Sequence, residues 1–236
     1  MSSDFDLDEY QRVDGITLRA ELAICAIANG SLVVLMMERE AEPFKGWLAL
    51  PGGYLRGDRD LDATAHVILA QLGMYPCEPR LVGVCSKPGR DPKARGVSAT
   101  YAAIVELDDL EVRLEQDKRF RIVTAIQAND DICDLSLEGH PVAAGYDHAA
   151  MIAKAIAYLR QMLENSLIAF EFLPPAFTLL ELQQVHEVIL GEAVDKVRFR
   201  KRMLARIFPD GSRLRATGRE KLTGGRPAKL FELQRN

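Results

Sequence analysis

Two groups of side chains in this sequence could do chemistry. Asp58, Asp60 and Asp62 lie close together just after a Gly52-Gly53 pair, and Lys196, Arg198, Arg200, Lys201 and Arg202 crowd a second short stretch. Neighbouring carboxylates can hold a hard cation such as Mg2+, which neutralises phosphate charge and orients water for hydrolysis. Clustered cations can neutralise a run of nucleic-acid phosphates. Each group needs a frame that turns its side chains the same way.

The frame of the first group is residues 47–74. Trp47 to Leu50 predicts a short strand, and Pro51-Gly52-Gly53 a breaker that lets backbone approach backbone or a ligand closely. From Asp60 the pattern turns helical, because Leu61, Ala65, Ile68 and Leu72 recur at three- and four-residue steps. Gly73 is placed to end that helix in a left-handed conformation. This strand, Gly-Gly loop, helix and terminal Gly resembles the Nudix box, G-x5-E-x7-R-E-U-x-E-E-x-G-U. Aligned on Gly73, Asp58 falls on the first Glu and His66 on the Arg, while Val67, Ala70 and Gln71 fall on the three remaining glutamates. Counted from Gly53, the loop before Asp58 is one residue short.

No carboxylate is offered from residue 65 to 71. The resemblance therefore implies a pocket that binds a ligand without cutting it, with no catalytic residue, metal ligand or cofactor assigned. Gly52, Gly53, Arg56 and Asp58 are candidates for the pocket floor, although Gly-Gly loops also recur for purely structural reasons. The alternative is a Nudix hydrolase of nucleoside diphosphate derivatives with a rearranged carboxylate set. Its only nearby candidates are Asp58, Asp60 and Asp62, at the helix start instead of its middle. His66 reads as a packed or half-buried histidine and not a metal ligand, having no partner at helical spacing except Asp62. Asp147 and His148 read as a helix start, not a catalytic dyad.

At 236 residues, 48% hydrophobic and 27% charged, the chain has room for one large domain or two smaller ones with a real core. Its apolar runs are far short of a membrane span, and its first residues are acidic, unlike a signal peptide. Cys25, Cys77, Cys85 and Cys133 share no CxxC spacing, which suggests reduced thiols in a cytoplasmic protein. The net charge of −4 hides an asymmetry. Residues 191–236 hold thirteen Lys/Arg against five Asp/Glu, or +8, and residues 1–190 hold seventeen against twenty-nine, or −12. Nucleic-acid contact is expected at the basic end alone.

Along the chain, Leu18 to Ile27 and Leu32 to Met37 predict strands joined at Asn29-Gly30, a hairpin signal. Strands are expected at Leu81 to Ser86, Val97 to Leu107 and Arg119 to Ile126. Glu106 to Lys118 reads as an acidic connection, and Asp130-Asp131 and Gly139-His140-Pro141 as polar loop. Tyr146 to Glu164 predicts a helix with Met151, Ala155, Tyr158 and Met162 on one face and Asp147 as N-cap. Lys87 to Arg95 is a basic Pro/Gly loop holding Arg90, Lys93 and Arg95.

The C-terminal part is a different kind of sequence. Phe172-Leu-Pro-Pro175 reads as a stiff linker. Thr178 and Glu181 predict a capping box, with Phe177 and Leu182 as its hydrophobic staple and Gly191 as the helix end. Asp195 caps a second helix through Phe208, with Val197, Met203, Leu204 and Ile207 as its apolar side and the cations over the rest. Arg213 to Thr217 and Lys229 to Leu233 predict a hairpin with a basic tip at Gly224-Gly225-Arg226-Pro227. Two helices, the second basic, and then a hairpin is the order of a winged helix-turn-helix. A charge run is most often a solvated face, but here domain charge, caps and wing agree.

The segments Phe177-Thr-Leu-x-Glu-Leu, Glu187-x-Ile-Leu-Gly191, Asp195-Lys-x-x-Phe199-Arg-Lys-Arg202 and Gly225-Arg-Pro-Ala228-x-Leu-Phe231 resemble the C-terminal domain of Nudix-related transcriptional regulators, the NrtR-like proteins. Arg90-Asp-Pro92 and Val97-Ser-x-x-Tyr101 look like theirs too. The resemblance implies an α/β chain: a lead-in at 1–15, a Nudix-like α/β/α sandwich at 16–165, a linker at 166–176 and a winged helix-turn-helix at 177–236. It implies a repressor whose inactive Nudix-like domain senses a nucleotide-related effector such as ADP-ribose, with Arg90, Lys93 and Arg95 overhanging the pocket where they could hold a diphosphate. Lys196, Arg198, Arg200, Lys201, Arg202 and Arg226 are the expected contacts to double-stranded DNA. A palindromic operator follows from family precedent, a homodimer from the small surface that a single winged domain buries on DNA, and no membrane partner is expected.

Overall fold

The unbroken apolar run in residues 22–26 gives a strand buried on both faces, and the rest of the molecule is laid against it. The structure, a computed structural model, describes residues 15–127, 131–222 and 227–234. In chain order come β1 (Thr17–Ala28), β2 (Ser31–Glu38), β3 (Leu48–Ala49), β4 (Gly52–Tyr54), α1 (Leu61–Gln71), β5 (Arg80–Cys85), β6 (Gly96–Ile104), α2 (Leu107–Gln116), β7 (Phe120–Gln127), β8 (Cys133–Leu137), β9 (His140–Pro141) and α3 (His148–Met162). A 3-10 helix (Ile168–Phe172) leads into β10 (Phe177–Thr178), α4 (Leu179–Leu190), α5 (Lys196–Ala205), β11 (Arg213–Lys221) and β12 (Ala228–Gln234).

The first nine strands form one mixed sheet in the order β5-β6-β1-β2-β7-β8-β9, with β3 beside β2 and β4 beside β1. The β1–β2 hairpin turns at Asn29 and Gly30, whose φ values of 49° and 73° are the left-handed pair that such a turn requires. One face of the sheet packs Leu22, Ile24 and Tyr101 against Ala65, Ile68 and Leu69 of α1 and Leu110 of α2. The other packs Ala23, Cys25 and Ala102 against Met151, Ile152, Ala155 and Leu159 of α3. This is the α/β/α sandwich expected from the sequence. No helix of the described residues is long and apolar enough to cross a membrane.

Three local expectations are corrected. The stretch read as an acidic connection contains α2, because Leu107, Leu110 and Leu114 at helical spacing have a core to join. The Gly-Gly breaker is partly a strand, β4, pairing Gly52 with Glu21. The supposed polar loop at 139–141 contributes β9, paired with β8. Asp130 of that region, the lead-in up to residue 14 and the wing-tip residues 224–226 lie outside the described residues.

The C-terminal elements build a three-stranded sheet, β10-β12-β11, beside α4 and α5. Their apolar residues are not a separate core. Phe177, Leu182, Ile189, Phe199, Met203, Phe208 and Phe231 belong to the same buried cluster as α3. Within the segment read as linker, Ile168 and Ala169 are buried, and Phe170 stacks against Phe177 and Phe208 at 5.5 and 5.0 Å between ring centroids. The chain between the two parts is thus packed, and α3 belongs to both.

Candidate ligand pocket and nucleic-acid interface

An open cleft of about 280 Å³ lies where β1, β4, the loop after β2, the basic loop before β6 and the start of α3 meet. A larger groove of about 630 Å³ runs between the two parts of the chain, but it sets Arg160 among Glu187 and Glu192 and gathers no cluster of donors. The smaller cleft is lined by more charged and aromatic side chains, among them Arg19, Glu21, Arg39, Tyr54, Arg90 and Tyr146.

At its floor is Glu21, 2% exposed and absent from the sequence-derived candidates. One carboxylate oxygen accepts a hydrogen bond from Arg19 Nε at 2.6 Å, and the other, Oε2, is buried with no partner. Burial raises the carboxyl pKa above its usual value, outweighing the nearby Arg19 guanidinium. A buried acceptor without a donor costs free energy, so its persistence marks a place where a ligand donor can be received. Gly52 leaves room for this carboxylate, since a Cβ there would stand 1.8 Å from Glu21 Oε2.

Aromatic rings and cations form the walls. The Arg19 guanidinium lies 4.3 Å from the Tyr54 ring and that of Arg39 4.7 Å from the Tyr146 ring. Phe44 packs on both Trp47 and Tyr146. Beneath them His148 is 3% exposed, and its Nδ1 accepts the Leu50 N–H at 2.9 Å, tying the box strand to α3. Burial pushes its pKa down to about 3, so the ring stays neutral and keeps Nδ1 as an acceptor.

The expected ligand residues divide. Gly52, Arg90 and Lys93 line the cleft, whereas Gly53, Arg56, Asp58 and Arg95 are not among its lining residues. Arg90, with a side chain 5% exposed, donates to both oxygens of Asp147 and at 2.9 Å to Ser98 Oγ. Asp147 stands at the N-cap position of α3 but makes no capping hydrogen bond; its carboxylate faces Arg90 instead. Lys93 Nζ donates to the Glu42 carbonyl, and Arg95 Nη1 donates to the Ser86 carbonyl at 2.6 Å. A Cβ on Gly53 would meet only Ile68, at 3.4 Å.

The carboxylates of the hydrolytic alternative are already engaged. Asp58 pairs with Arg59 at 2.7 Å on the surface, and Asp60 caps α1 by accepting from the Ala63 N–H. Asp62 accepts from the Tyr101 hydroxyl. His66 contacts the Asp62 carbonyl and, at 3.4 Å, Glu78. Among the described residues, no group of three or more His, Cys, Asp or Glu side chains is arranged to hold a metal.

The second candidate site is α5. Both reciprocal hydrogen bonds of the Thr178–Glu181 capping box are present on α4, which ends at Gly191 with φ +77°. After a short turn, Asp195 accepts from the Arg198 N–H at 2.7 Å and starts α5. Phe199 and Met203 fix its buried side. Lys196, Arg198, Arg200 and Lys201 are exposed on the remaining surface, and none makes an ion pair among the described residues. Arg202 differs, since its Nη1 lies 3.0 Å from Glu164 Oε1 just past the end of α3, and Arg206 reaches the other oxygen at 3.4 Å. Arg226 is outside the described residues. The wing strands run longer than expected, with an irregularity between Ala216 and Glu220.

Residues 169–233 match the family model of the NrtR DNA-binding winged helix domain. Over 230 residues, 95% of this chain and 86% of the relative, the sequence is 29% identical to the ADPR responsive transcriptional repressor NtrR of Acinetobacter baylyi. A shorter stretch of 97 residues, 41% of this chain and 55% of the relative, is 32% identical to the ADP-ribose pyrophosphatase of Methanocaldococcus jannaschii. The structure superposes on Shewanella oneidensis NrtR complexed with a 27mer DNA with a TM-score of 0.72 and 25% identity, covering 92% of this chain and 93% of that one. It also shares its fold with a MutT/nudix family protein from Enterococcus faecalis at a TM-score of 0.69 and 19% identity, over 99% and 94% of the two chains. In sequence and architecture the chain is similar to NrtR, with a Nudix-like α/β/α sandwich followed by a winged helix region that matches the NrtR family model.

Proposed function

We propose that this chain is a transcriptional repressor whose Nudix-type cleft binds an ADP-ribose-like nucleotide without hydrolysing it and so controls the grip of α5 on DNA. The observation that carries the reading is the face of α5, where Lys196, Arg198, Arg200 and Lys201 make no ion pair among the described residues, on a helix whose start and rotation are fixed by Asp195, Phe199 and Met203. Such a face suits phosphate contact, with one or two of these side chains reaching base edges.

The cleft suits a nucleotide. Arg19, Arg39 and Lys93 bring positive charge to it, Tyr54 and Tyr146 offer ring faces, and Glu21 Oε2 can accept from a hydroxyl or an amino group. Hydrolysis is disfavoured because Asp58, Asp60 and Asp62 have other partners and the box helix offers no carboxylate from residue 65 to 71.

Helix α3 is the route from cleft to DNA. At its start, His148 and Asp147 are tied to Leu50 and Arg90. Towards its end, Arg160 Nε donates to the Ile189 carbonyl of α4 at 2.8 Å, and Glu164 just beyond holds Arg202 of α5. A ligand that pulls on Arg90 or displaces Tyr146 changes the setting of this rod, and a homodimer would read the change as altered spacing of two α5 helices on a palindrome. The test is a fluorescence-polarisation titration of DNA from upstream of the protein's own gene, with and without ADP-ribose, alongside an assay for Mg2+-dependent AMP release. Specific binding that shifts with ADP-ribose, and no AMP, supports the repressor. Turnover of ADP-ribose would restore the hydrolase, the second reading, which the pyrophosphatase similarity favours.

A further inference from the structure

The side of α5 turned away from the core carries an apolar side chain that nothing in the described chain covers. Phe199 and Met203 are 3% and 1% exposed, and Phe199 packs edge-on against His186 of α4, so the rotation of the helix is set. At about 3.6 residues per turn, the opposite side then presents Val197, Lys201 and Leu204. Val197 is 75% exposed. Counting apolar residues along the sequence puts Val197 and Leu204 with the buried side, but the structure turns both outward.

A single exposed apolar residue is ordinary on a protein surface. Its setting is what matters here. Val197 is the second residue of a helix that follows the α4 turn, flanked by Lys196 and Arg198 with Lys201 one turn on, all exposed and without ion pairs among the described residues. Valine is a middling helix former and gains nothing from burial at this place, so neither propensity nor packing accounts for it. A second copy of the same cationic face would be repelled. A polyanion would be drawn in, and the first residues of a recognition helix are the ones that meet base edges. In the major groove the apolar group on those edges is the 5-methyl of thymine.

We propose that Val197 is a specificity-determining residue that packs against a thymine 5-methyl group in the major groove, while the cations around it hold phosphates or guanine edges. The inference rests on reading α5 as the DNA-binding helix and adds what that helix prefers. Arg198, Arg200 and Lys201 set affinity, and Val197 sets the choice of an A·T pair at one position of each half-site.

The full chain is used to select its preferred duplex from random DNA. Thymines in that duplex are then replaced one at a time by deoxyuridine, which removes the methyl and nothing else. Wild-type protein is expected to lose about fourfold in affinity at one position of each half-site, the worth of one buried methyl group. In Val197→Ser, where serine has nearly the same helix propensity, thymine and uracil duplexes should bind equally at that position. Arg200→Ala, weaker throughout, should keep the thymine preference. An equal uracil penalty in wild type and Val197→Ser, or no thymine at which uracil matters, would overturn the inference while leaving α5 as the recognition helix. Failure of wild type to select any sequence would overturn the DNA-binding reading itself, and this would be known before any uracil is introduced.

Discussion

The cleft and α5 hold their cations in opposite ways. In the cleft Arg19 is held by Glu21, Arg90 by Asp147 and Ser98, and Lys93 by the Glu42 carbonyl. On α5, Lys196, Arg198, Arg200 and Lys201 make no ion pair among the described residues, and only Arg202 turns back to an acidic partner. A guanidinium as sheltered as Arg90 must be paired, because desolvating it alone is costly, and the pairing fixes its position before any ligand arrives. Cations in water need no partner and remain available to a polyanion. On the function proposed above, the cleft takes one small molecule in one pose, and the helix makes a flexible fit to many phosphates.

The largest effect should come from breaking the paired side. Arg90→Ala leaves Asp147 without its main partner and should cost about 3 kcal/mol of stability, less if water reaches the partly exposed carboxylate, as read by urea denaturation. An Arg→Ala change at an exposed position on α5 should stay within about 0.5 kcal/mol by the same measurement. Equal costs at the two places would erase the contrast between paired and free cations.

Next comes Gly52→Ala, which drives a methyl into Glu21 Oε2. We expect a loss of about 1–3 kcal/mol in denaturation together with loss of nucleotide binding by calorimetry. Tight nucleotide binding by this variant would place the ligand elsewhere. On α5, replacing Arg200 and Lys201 with Ala should lower the slope of log K against log salt by about 0.9 for each phosphate that is no longer neutralised. An unchanged slope would mean that neither residue touches DNA. The smallest effect is expected from Glu164→Gln. An exposed ion pair is worth at most about 1 kcal/mol, so freeing Arg202 should tighten DNA binding no more than about fivefold in polarisation titrations. Weaker binding in that variant would contradict a restraining role for Glu164.

Local signals in the sequence are the most readable. Asn29-Gly30, the Thr178–Glu181 box, Asp195 and Gly191 each act within a few residues, and each stands where spacing puts it. Helix α2 is hidden by its acidic surface, although Leu107, Leu110 and Leu114 carry the period. Glu21 is concealed inside an apolar strand; the signal available is a charged pair, Arg19-x-Glu21, in a run otherwise fit for burial. Other features need the fold. The partner of Arg90 lies 57 residues away and the donor to His148 98 residues away, distances at which sequence spacing says nothing. Of the apolar side read for α5 from the sequence, Met203 is buried but Val197, Leu204 and Ile207 are exposed, and the second buried residue is Phe199.

The central claim is that the cleft and α5 are energetically coupled through α3. Linkage makes this directly measurable, because an effector that changes DNA affinity must itself be bound differently, by the same factor, when DNA is present. The measurement is isothermal titration of ADP-ribose into the free protein and into the protein saturated with its selected duplex. Coupling predicts two different affinities whose ratio equals the effect of ADP-ribose on DNA binding. Identical affinities in the two titrations would contradict it.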